Sequence, residues 1–195
     1  MKFTDKSVMI VTPCYAGFPS VDFLVSLFKL YEYSKYTCKN DIVWIPIAGS
    51  NIYGIRNIGF KIFMSSKYRN LLMVDNDMVF EYKALETLFE RDKDIIMPSF
   101  TNKIGGLPDM NKQIIPMATQ KLPNGHLRQL TKEEIESLDA PVKVTTNGFG
   151  MVLLKKRVIE GMDYPYCQGI TMPVVEESAN GVTGEDYYFC LKALE

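Results

Sequence analysis

Two aspartates separated by one residue, Asp75 and Asp77, come directly after the apolar run 71–74. A carboxylate is costly to bury unless it is paired or bound to a metal, and two carboxylates this close can reach one ion. Mg²⁺ and Mn²⁺ prefer such oxygen ligands and fill the rest of their shell with phosphate oxygens and water. The triplet Asp75-Asn76-Asp77 therefore indicates a metal and diphosphate site. The alternative is a solvated turn at a strand end, where Asp and Asn are common.

A second acidic pair, Glu185 and Asp186, follows Gly184 at the start of a predicted helix. A helix N-terminus stabilises negative charge, so simple capping of the helix explains such a pair. The functional interpretation is a general base that takes a proton from an acceptor hydroxyl.

Two further motifs have both a functional and a structural interpretation. Gly148 and Gly150 enclose Phe149, and glycines allow a backbone to approach a ligand closely, although a tight turn into a strand needs them too. Arg56-Asn57 is predicted to open a helix, where a cation opposes the helix dipole and an anionic ligand would relieve that cost. The alternative for Arg56 is an exposed arginine without a ligand.

The elements that must position these residues alternate in the first half of the chain. Apolar runs predict strands over residues 7–12, 42–47, 71–74 and 94–97, and helical periodicity predicts helices over 21–36, 56–67 and 82–91. This alternation is typical of a mainly parallel sheet covered on both faces. Ligands bind such sheets at the carboxyl ends of the strands, where the loops 13–20, 48–53 and 75–77 are expected to converge.

The second half has a different pattern. Residues 99–124 are rich in Gly, Pro, Asn and Lys, and predict a long loop or a hairpin region. The following segments are predicted to be helices at 131–138, 155–161 and 187–195 and strands at 142–144 and 151–154, in a smaller mixed β region. We expect one α/β domain over residues 1–195, with a nucleotide-binding half at 1–98 and an acceptor-binding half at 99–195.

Composition excludes several classes of protein. The 195 residues have a formal net charge of −1 and are 47% hydrophobic, which is typical of a globular fold and not of a protein that binds nucleic acid by neutralising phosphates. The polar start predicts no signal peptide, and no apolar run is long enough for a transmembrane segment. The four cysteines form no CxxC pair and His126 is the only histidine, so a zinc site is not expected. These features predict a cytoplasmic protein with reduced thiols.

Five motifs occur together in an order known from one group of enzymes. They are VTPCY at 11–15, RN at 56–57, LLMVDNDMVF at 71–80, NGFGMVLLKK at 147–156 and GEDYYFC at 184–190. In this order the sequence resembles the Rossmann-like GT-A fold glycosyltransferases, in particular glycosyltransferase family 2 and its small phage and viral members. The resemblance spans nearly the whole chain.

The resemblance implies a function for each motif. Thr12, Pro13 and Tyr15 would contact the nucleoside of a nucleoside-diphosphate sugar. Asp75-Asn76-Asp77 would be the DXD motif that holds the diphosphate through Mn²⁺ or Mg²⁺, with Asp77 as the direct ligand and Asp75 facing the ribose or the metal's water shell.

For the other motifs, Arg56 and Asn57 would contact the donor, and Gly148 with Phe149 would border the donor sugar and the acceptor. Asp186, beside Glu185, would deprotonate a hydroxyl of a glycan, a protein or another acceptor. Transfer would then invert the anomeric configuration. Family members usually continue past this helix to a strand with a metal-binding His, so the resemblance assigns two metal ligands here and no third.

Two other functions are compatible with the same residues. A nucleotidyltransferase also combines a sheet, a metal and acidic strand ends, but usually has a Gly-rich phosphate loop with Lys or Arg, which residues 13–17 lack. A non-catalytic module that binds nucleotides or sugars, derived from a glycosyltransferase, is the other alternative. If the protein is viral, its location would be the host cytoplasm.

Overall fold

The computed structural model describes residues 6–15, 17–99, 117–138, 140–171 and 182–195. Residues 100–116 of the segment 99–124, which was predicted to be a long loop or a hairpin region, therefore lie outside the described residues. In chain order the elements are β1 (Val8–Tyr15), α1 (Val21–Glu32) with a π-helical turn (Tyr33–Thr37), β2 (Ile42–Gly49), α2 (Ile52–Met64), β3 (Asn70–Val74), α3 (Ala84–Glu90), β4 (Ile95–Ile96), β5 (Thr119–Lys121), β6 (Leu127–Gln129), α4 (Lys132–Glu136), β7 (Met151–Lys155), α5 (Lys156–Glu160), β8 (Ile170–Thr171), β9 (Val182–Thr183) and α6 (Glu185–Lys192).

The chain forms two compact units. The first contains residues 1–98 and 149–168, and the second contains residues 99–148 and 169–195. The first unit is built on a five-stranded sheet in the order β2-β1-β3-β7-β4. The second contains two two-stranded pairs, β5-β6 and β8-β9, together with α4 and α6.

The sheet of the first unit is mixed. β1 pairs in parallel with β2 and with β3, whereas β7 pairs antiparallel with β3 and with β4. The predicted α/β class is confirmed in this coarse form, but the sheet is not purely parallel. The apolar run at 151–154, predicted to belong to a smaller β region, instead joins the main sheet as β7 because its residues are buried on both faces.

Alternation along the strands divides the core of the first unit into two layers. One layer contains Val8, Ile10, Leu72, Val74 and Leu153, which pack with buried residues of α1 and α3. The other face is covered by α2, which approaches β1 so closely that a Cβ on Gly59 would lie 2.8 Å from Val11 Cγ1. Only glycine allows this close contact between helix and sheet.

Several predicted boundaries shift in the structure. β1 continues through Pro13 to Tyr15, and β2 continues to Gly49, so the loops predicted at 13–20 and 48–53 are shorter. β1 pairs with β3 only as far as Val11, and beyond that point it pairs with β2 alone. At Pro13, β1 therefore has one unpaired side, and proline is tolerated at such a position because it has no N–H to donate. β2 is the outermost strand of the sheet, which is a position where Pro46 is tolerated although it cannot donate to a neighbouring strand.

In the second unit, the helix predicted at 131–138 is confirmed as α4, and Thr131 and Glu134 form its capping box. The strand predicted at 142–144 is wrong, because that segment has no regular secondary structure. Only Thr146 forms an isolated bridge, to Thr119 of β5. Within the parts of the chain that the structure describes, none of the helices combines the length and the apolarity that a membrane span requires.

Candidate functional site

The acidic triplet lies where β3 ends. All five residues of β3 are buried, and the chain then emerges with Asp75 half-buried and Asp77 exposed. The backbone N–H of Asp75 donates to the carbonyl of Gly150 at 3.0 Å, and its own carbonyl accepts from Met78 N at 3.3 Å. The triplet is therefore a turn whose first residue is still fixed to the sheet, while its last residue faces solvent.

Arg56 contacts this turn from α2. The helix begins at Ile52, with Asn51 as its N-cap, so Arg56 lies in the second turn and the prediction that it opens the helix is wrong. The side chain of Arg56 is buried, and its Nη2 donates to Oδ1 of Asp75 at 2.9 Å. The positive charge of Arg56 is therefore balanced by its ion pair with the carboxylate of Asp75, and not by an anionic ligand that offsets the helix dipole.

Phe149 completes the support of this ion pair. Its ring is buried, and the guanidinium carbon of Arg56 lies 5.1 Å from the ring centroid. A cation over an aromatic face is stabilised by the ring quadrupole, and more so when water is excluded. Arg56 is thus held between an aromatic ring and a carboxylate, which restricts the orientation of Asp75 before any ligand binds.

A second contact ties the loop before α1 to the same turn. Ser20 caps α1 through its side chain, which accepts from Phe23 N at 3.1 Å, and its backbone N–H donates to the carbonyl of Asn76 at 2.9 Å. The loops after β1 and after β3 therefore meet, as the sequence predicted for this edge of the sheet. Asn76 contributes its backbone to this junction.

The predicted nucleoside contacts differ in their surroundings. Thr12 is buried, and its hydroxyl accepts from Trp44 Nε1 at 3.0 Å. Pro13 is buried within β1. Tyr15 is exposed at the end of β1, where it pairs with Gly49. Of the three side chains, Tyr15 is the one that reaches solvent at the carboxyl edge of the sheet.

Asn57 has a structural set of partners within the first unit. Its Nδ2 donates to the carbonyl of Cys167 at 2.7 Å, and its Oδ1 accepts from the backbone N–H groups of Tyr166 and Cys167. The amide thus fastens the segment after α5 onto α2. Because these bonds use both ends of the amide, the geometry assigns Asn57 to fixing the backbone.

Asp186 and Glu185 belong to the second unit, in the first turn of α6. Oδ1 of Asp186 accepts from Tyr187 N at 2.8 Å. A Cβ on Gly184 would lie 2.5 Å from that same Oδ1, so glycine leaves the space in which this carboxylate sits. The helix predicted to start after the acidic pair starts at Glu185 instead, and the pair is part of it.

Polar groups surround the base of α6 in the second unit. The hydroxyls of Thr119 and Thr146 are buried and 2.6 Å apart, and Cys190 Sγ donates to the carbonyl of Asn147 at 3.6 Å. Burial raises the pKa of Cys190 to about 12, so its thiol is protonated at neutral pH. Burial, together with the carboxylate of Asp186, also raises the pKa of Tyr187. Gly148 donates its N–H to the side chain of Asn147 at 3.0 Å.

The carboxylates at the end of β3 suit one kind of metal site. Within the described residues, no group of three or more His, Cys, Asp and Glu side chains could hold a metal ion. Asp75 and Asp77 offer hard oxygen donors, and Mg²⁺ or Mn²⁺ needs only one or two such carboxylates when a substrate supplies phosphate oxygens. The pair therefore fits a metal that is bound jointly with a diphosphate.

Sequence reasoning missed three supports of this site, namely Ser20, Trp44 and the backbone of Gly150. Ser20 had a usable signal, because a serine directly before an apolar periodic segment is a typical N-cap. The contacts of Trp44 with Thr12 and of Gly150 with Asp75 depend on which strands are neighbours, and periodicity does not determine that.

Comparison with known proteins gives a similarity in fold. No protein-family model matches this chain, and no curated protein matches it. Among solved structures, the chain is similar to A197 from STIV, with 15% sequence identity and a TM-score of 0.56 over 96% of this chain and 78% of that chain. At this identity the similarity shows a shared fold and leaves the chemistry to the residues of the site.

Proposed function

We propose that the protein is a metal-dependent glycosyltransferase that moves a sugar from a nucleoside-diphosphate donor to an acceptor hydroxyl. The observation that supports it most is the buried contact of Arg56 with Asp75 beside the exposed Asp77. An acidic turn that served only as a solvated strand end would need no buried arginine stacked on an aromatic ring. A carboxylate pair that must meet a metal and a diphosphate benefits from such preorganisation.

The two aspartates have different functions in this proposal. Asp75 has one carboxylate oxygen engaged by Arg56, which keeps its charge balanced and its position fixed. Asp77 is exposed and would be the direct ligand of the divalent metal. The exposed ring of Tyr15, at the same edge of the sheet, is available for the nucleobase. Ligands bind open α/β sheets at this carboxyl edge, which favours the assignment.

The reaction is a displacement at the anomeric carbon of the donor sugar. The acceptor oxygen forms a bond to that carbon as the bond to the diphosphate oxygen breaks, and the carboxylate of Asp186 takes the acceptor's proton. A bound Mn²⁺ or Mg²⁺ would offset the negative charge that grows on the departing diphosphate. Attack from the opposite side inverts the configuration. Asp186 has this role through the resemblance of the GEDYYFC motif.

Calorimetric titration of a nucleoside diphosphate in the presence of Mn²⁺ tests the donor part. Asp77→Ala is expected to abolish Mn²⁺-dependent binding, and Asp77→Asn to weaken it severely, because the diphosphate charge is then less compensated. Asp41→Ala is a matched control, since Asp41 is an exposed carboxylate paired with Lys67. Unchanged affinity in both Asp77 variants would rule out the metal assignment.

Product analysis separates the three functions. Incubation with nucleotide sugars and Mn²⁺ should release a nucleoside diphosphate and transfer or hydrolyse the sugar. Release of pyrophosphate from a nucleoside triphosphate and a sugar phosphate would instead identify a nucleotidyltransferase. Tight binding without any turnover would identify a non-catalytic module.

A further inference from the structure

The outward face of α1 is apolar. Val21, Val25 and Phe28 follow one another at intervals of four and three residues, and their exposed fractions are 76%, 47% and 59%. Phe18, just before the helix, is 96% exposed. We call these four residues the α1 stripe. Intervals of four and three residues place the three helical side chains on one side of α1, and Phe18 precedes them in the chain.

The stripe lies opposite the face of α1 that packs on the sheet. The core side of the helix is formed by Phe23, Leu27 and Leu30, all of which are buried. A surface helix normally has polar residues on the other side, and single exposed apolar residues need no explanation. A row of three along one side of a helix does, and Phe28 extends this row by an edge-to-face contact with Trp44 of β2.

We infer that the α1 stripe is the contact surface for a second copy of this chain, with the two α1 helices packed antiparallel about a twofold axis near Val25. A twofold contact uses the same patch on both subunits, so the patch must be self-complementary. The stripe meets this condition. With Val25 on the axis, Val21 of one subunit faces Phe28 of the partner subunit, so a smaller side chain is set against a larger one on each side.

Charge favours the same arrangement. Asp22 and Lys29 are seven residues apart, exposed, and on the same flank of the stripe. In an antiparallel pair about Val25, Asp22 of each subunit lies opposite Lys29 of the partner subunit, which gives two equivalent ion pairs. In a parallel twofold pair the same flank of the two helices lies on opposite sides of the contact, so Asp22 and Lys29 would not face each other and neither ion pair would form. Flanking charges of this kind set partner orientation between packed helices.

The ends of the helix are compatible with this alignment. Glu32, exposed at the C-terminal end of α1, comes close to the N-terminus of the partner's α1, where negative charge is favourable. The surface is small, and we expect a dissociation constant in the micromolar range.

Sedimentation equilibrium of the full chain, up to about 200 μM, tests the dimer. Val25→Glu places two like charges at the axis and is expected to weaken association at least about a hundredfold. Asp22→Lys and Lys29→Asp each create two like-charge contacts and should each weaken it roughly tenfold. A parent protein that stays monomeric throughout this range would overturn the inference, and binding of the monomer to lipid vesicles would show that the stripe meets a membrane surface instead.

The double variant Asp22→Lys/Lys29→Asp makes the test specific. Its charges are complementary again across an antiparallel pair, so association should return to within about threefold of the parent. The two single variants, mixed, should form a heterodimer for the same reason. The double variant opposes the dipole of α1 at both ends, so loss of helix stability cannot explain a recovery. Failure of both the double variant and the mixture to recover, with circular dichroism spectra like that of the parent, would exclude this alignment.

Discussion

The two compact units are stabilised by different kinds of contact. In the first, five strands form one sheet whose central members β1, β3 and β7 are almost wholly buried, with apolar layers on both faces. In the second, the strands have two or three residues each. Of the apolar side chains described there, only Ala118, Leu130, Phe189 and Cys190 are buried. The described contacts of the second unit include the buried hydroxyl pair of Thr119 and Thr146.

The candidate site residues of the two units therefore differ in how firmly they are held. Asp75 follows a buried strand and is fixed by Arg56, whereas Asp186 is supported by the first turn of a short helix. Regions with few buried apolar contacts open more readily than a sheet core. The proposed donor residues are thus preorganised, and the proposed base lies on an element that is expected to have lower local stability.

The largest expected effect concerns turnover and the second unit. Asp186→Asn should lower the transfer rate by about 10²–10⁴, because general-base assistance is typically worth that factor. Nucleotide affinity, assigned to the first unit, should remain nearly constant, so kcat changes and binding does not. Glu185→Gln should be milder. A transfer rate equal to the parent's in Asp186→Asn, or a dead Glu185→Gln, would refute the assignment within the pair.

Truncation of one buried leucine in each unit compares how strongly apolar packing stabilises the two units. Leu72 of β3 and Leu130 after β6 are both buried, one in each unit. Leu72→Ala should cost about 3–5 kcal/mol in the free energy of unfolding, since the packed sheet cannot collapse around the cavity. Leu130→Ala should cost about 2 kcal/mol or less, because its surroundings are less apolar and can relax. Urea denaturation gives both values, and equal costs would contradict the contrast between the units.

Removal of Arg56 tests the support of the donor residues. Arg56→Ala leaves the half-buried carboxylate of Asp75 without its partner and should destabilise the first unit by about 1–3 kcal/mol, less than for a fully buried pair because Asp75 is partly exposed. Mn²⁺-dependent nucleotide affinity should fall as well. Arg56→Lys should restore part of the stability, and the exposed Arg91→Ala is the control. Full stability in Arg56→Ala would show that the ion pair does not position Asp75.

Sequence reasoning succeeded where the signal was local. Four apolar runs became β1 to β4, and the capping box at Thr131 became the start of α4, because burial and capping are both encoded within a few residues. The direction and position of β7 were missed. A run such as 151–154 shows that a strand is buried but does not show which neighbours it pairs with, so its antiparallel insertion between β3 and β4 had no local signal.

For the candidate site, the residue types were informative and their partners were not. The sequence identified Asp75 and Arg56 separately, each for its own reason. That Arg56 is buried and donates to Asp75 follows from the second-turn position that the Asn51 cap gives it, one turn later than predicted. The ring of Phe149, expected beside a sugar, is packed against Arg56 because the chain enters β7 directly after it.

The smallest expected effect concerns the edge strand β4 of the first unit. β4 has two half-buried residues, and Asp94 just before it forms ion pairs with Arg157 and, at 3.4 Å, with Lys155. The hydrogen bond from Arg157 and the charge of Lys155 lower the pKa of Asp94 below its usual value. A carboxyl group whose pKa is lower in the folded state stabilises the fold above its unfolded pKa, and this contribution is lost as the pH falls through the folded value.

Asp94→Asn should therefore lower the free energy of unfolding at pH 7 by less than about 1 kcal/mol, because the pair is exposed. The gap between variant and parent should begin to narrow as the pH falls below about 4, where the unfolded carboxyl group becomes protonated, and should close once the pH is below the lowered pKa of the folded state. Added salt at pH 7 should narrow it as well, by screening Arg157 and Lys155. Urea midpoints at pH 7 and pH 3, with and without salt, measure all three changes. If the difference in the free energy of unfolding between variant and parent is equally large at pH 3, Asp94 stabilises β4 through packing and not through its charge.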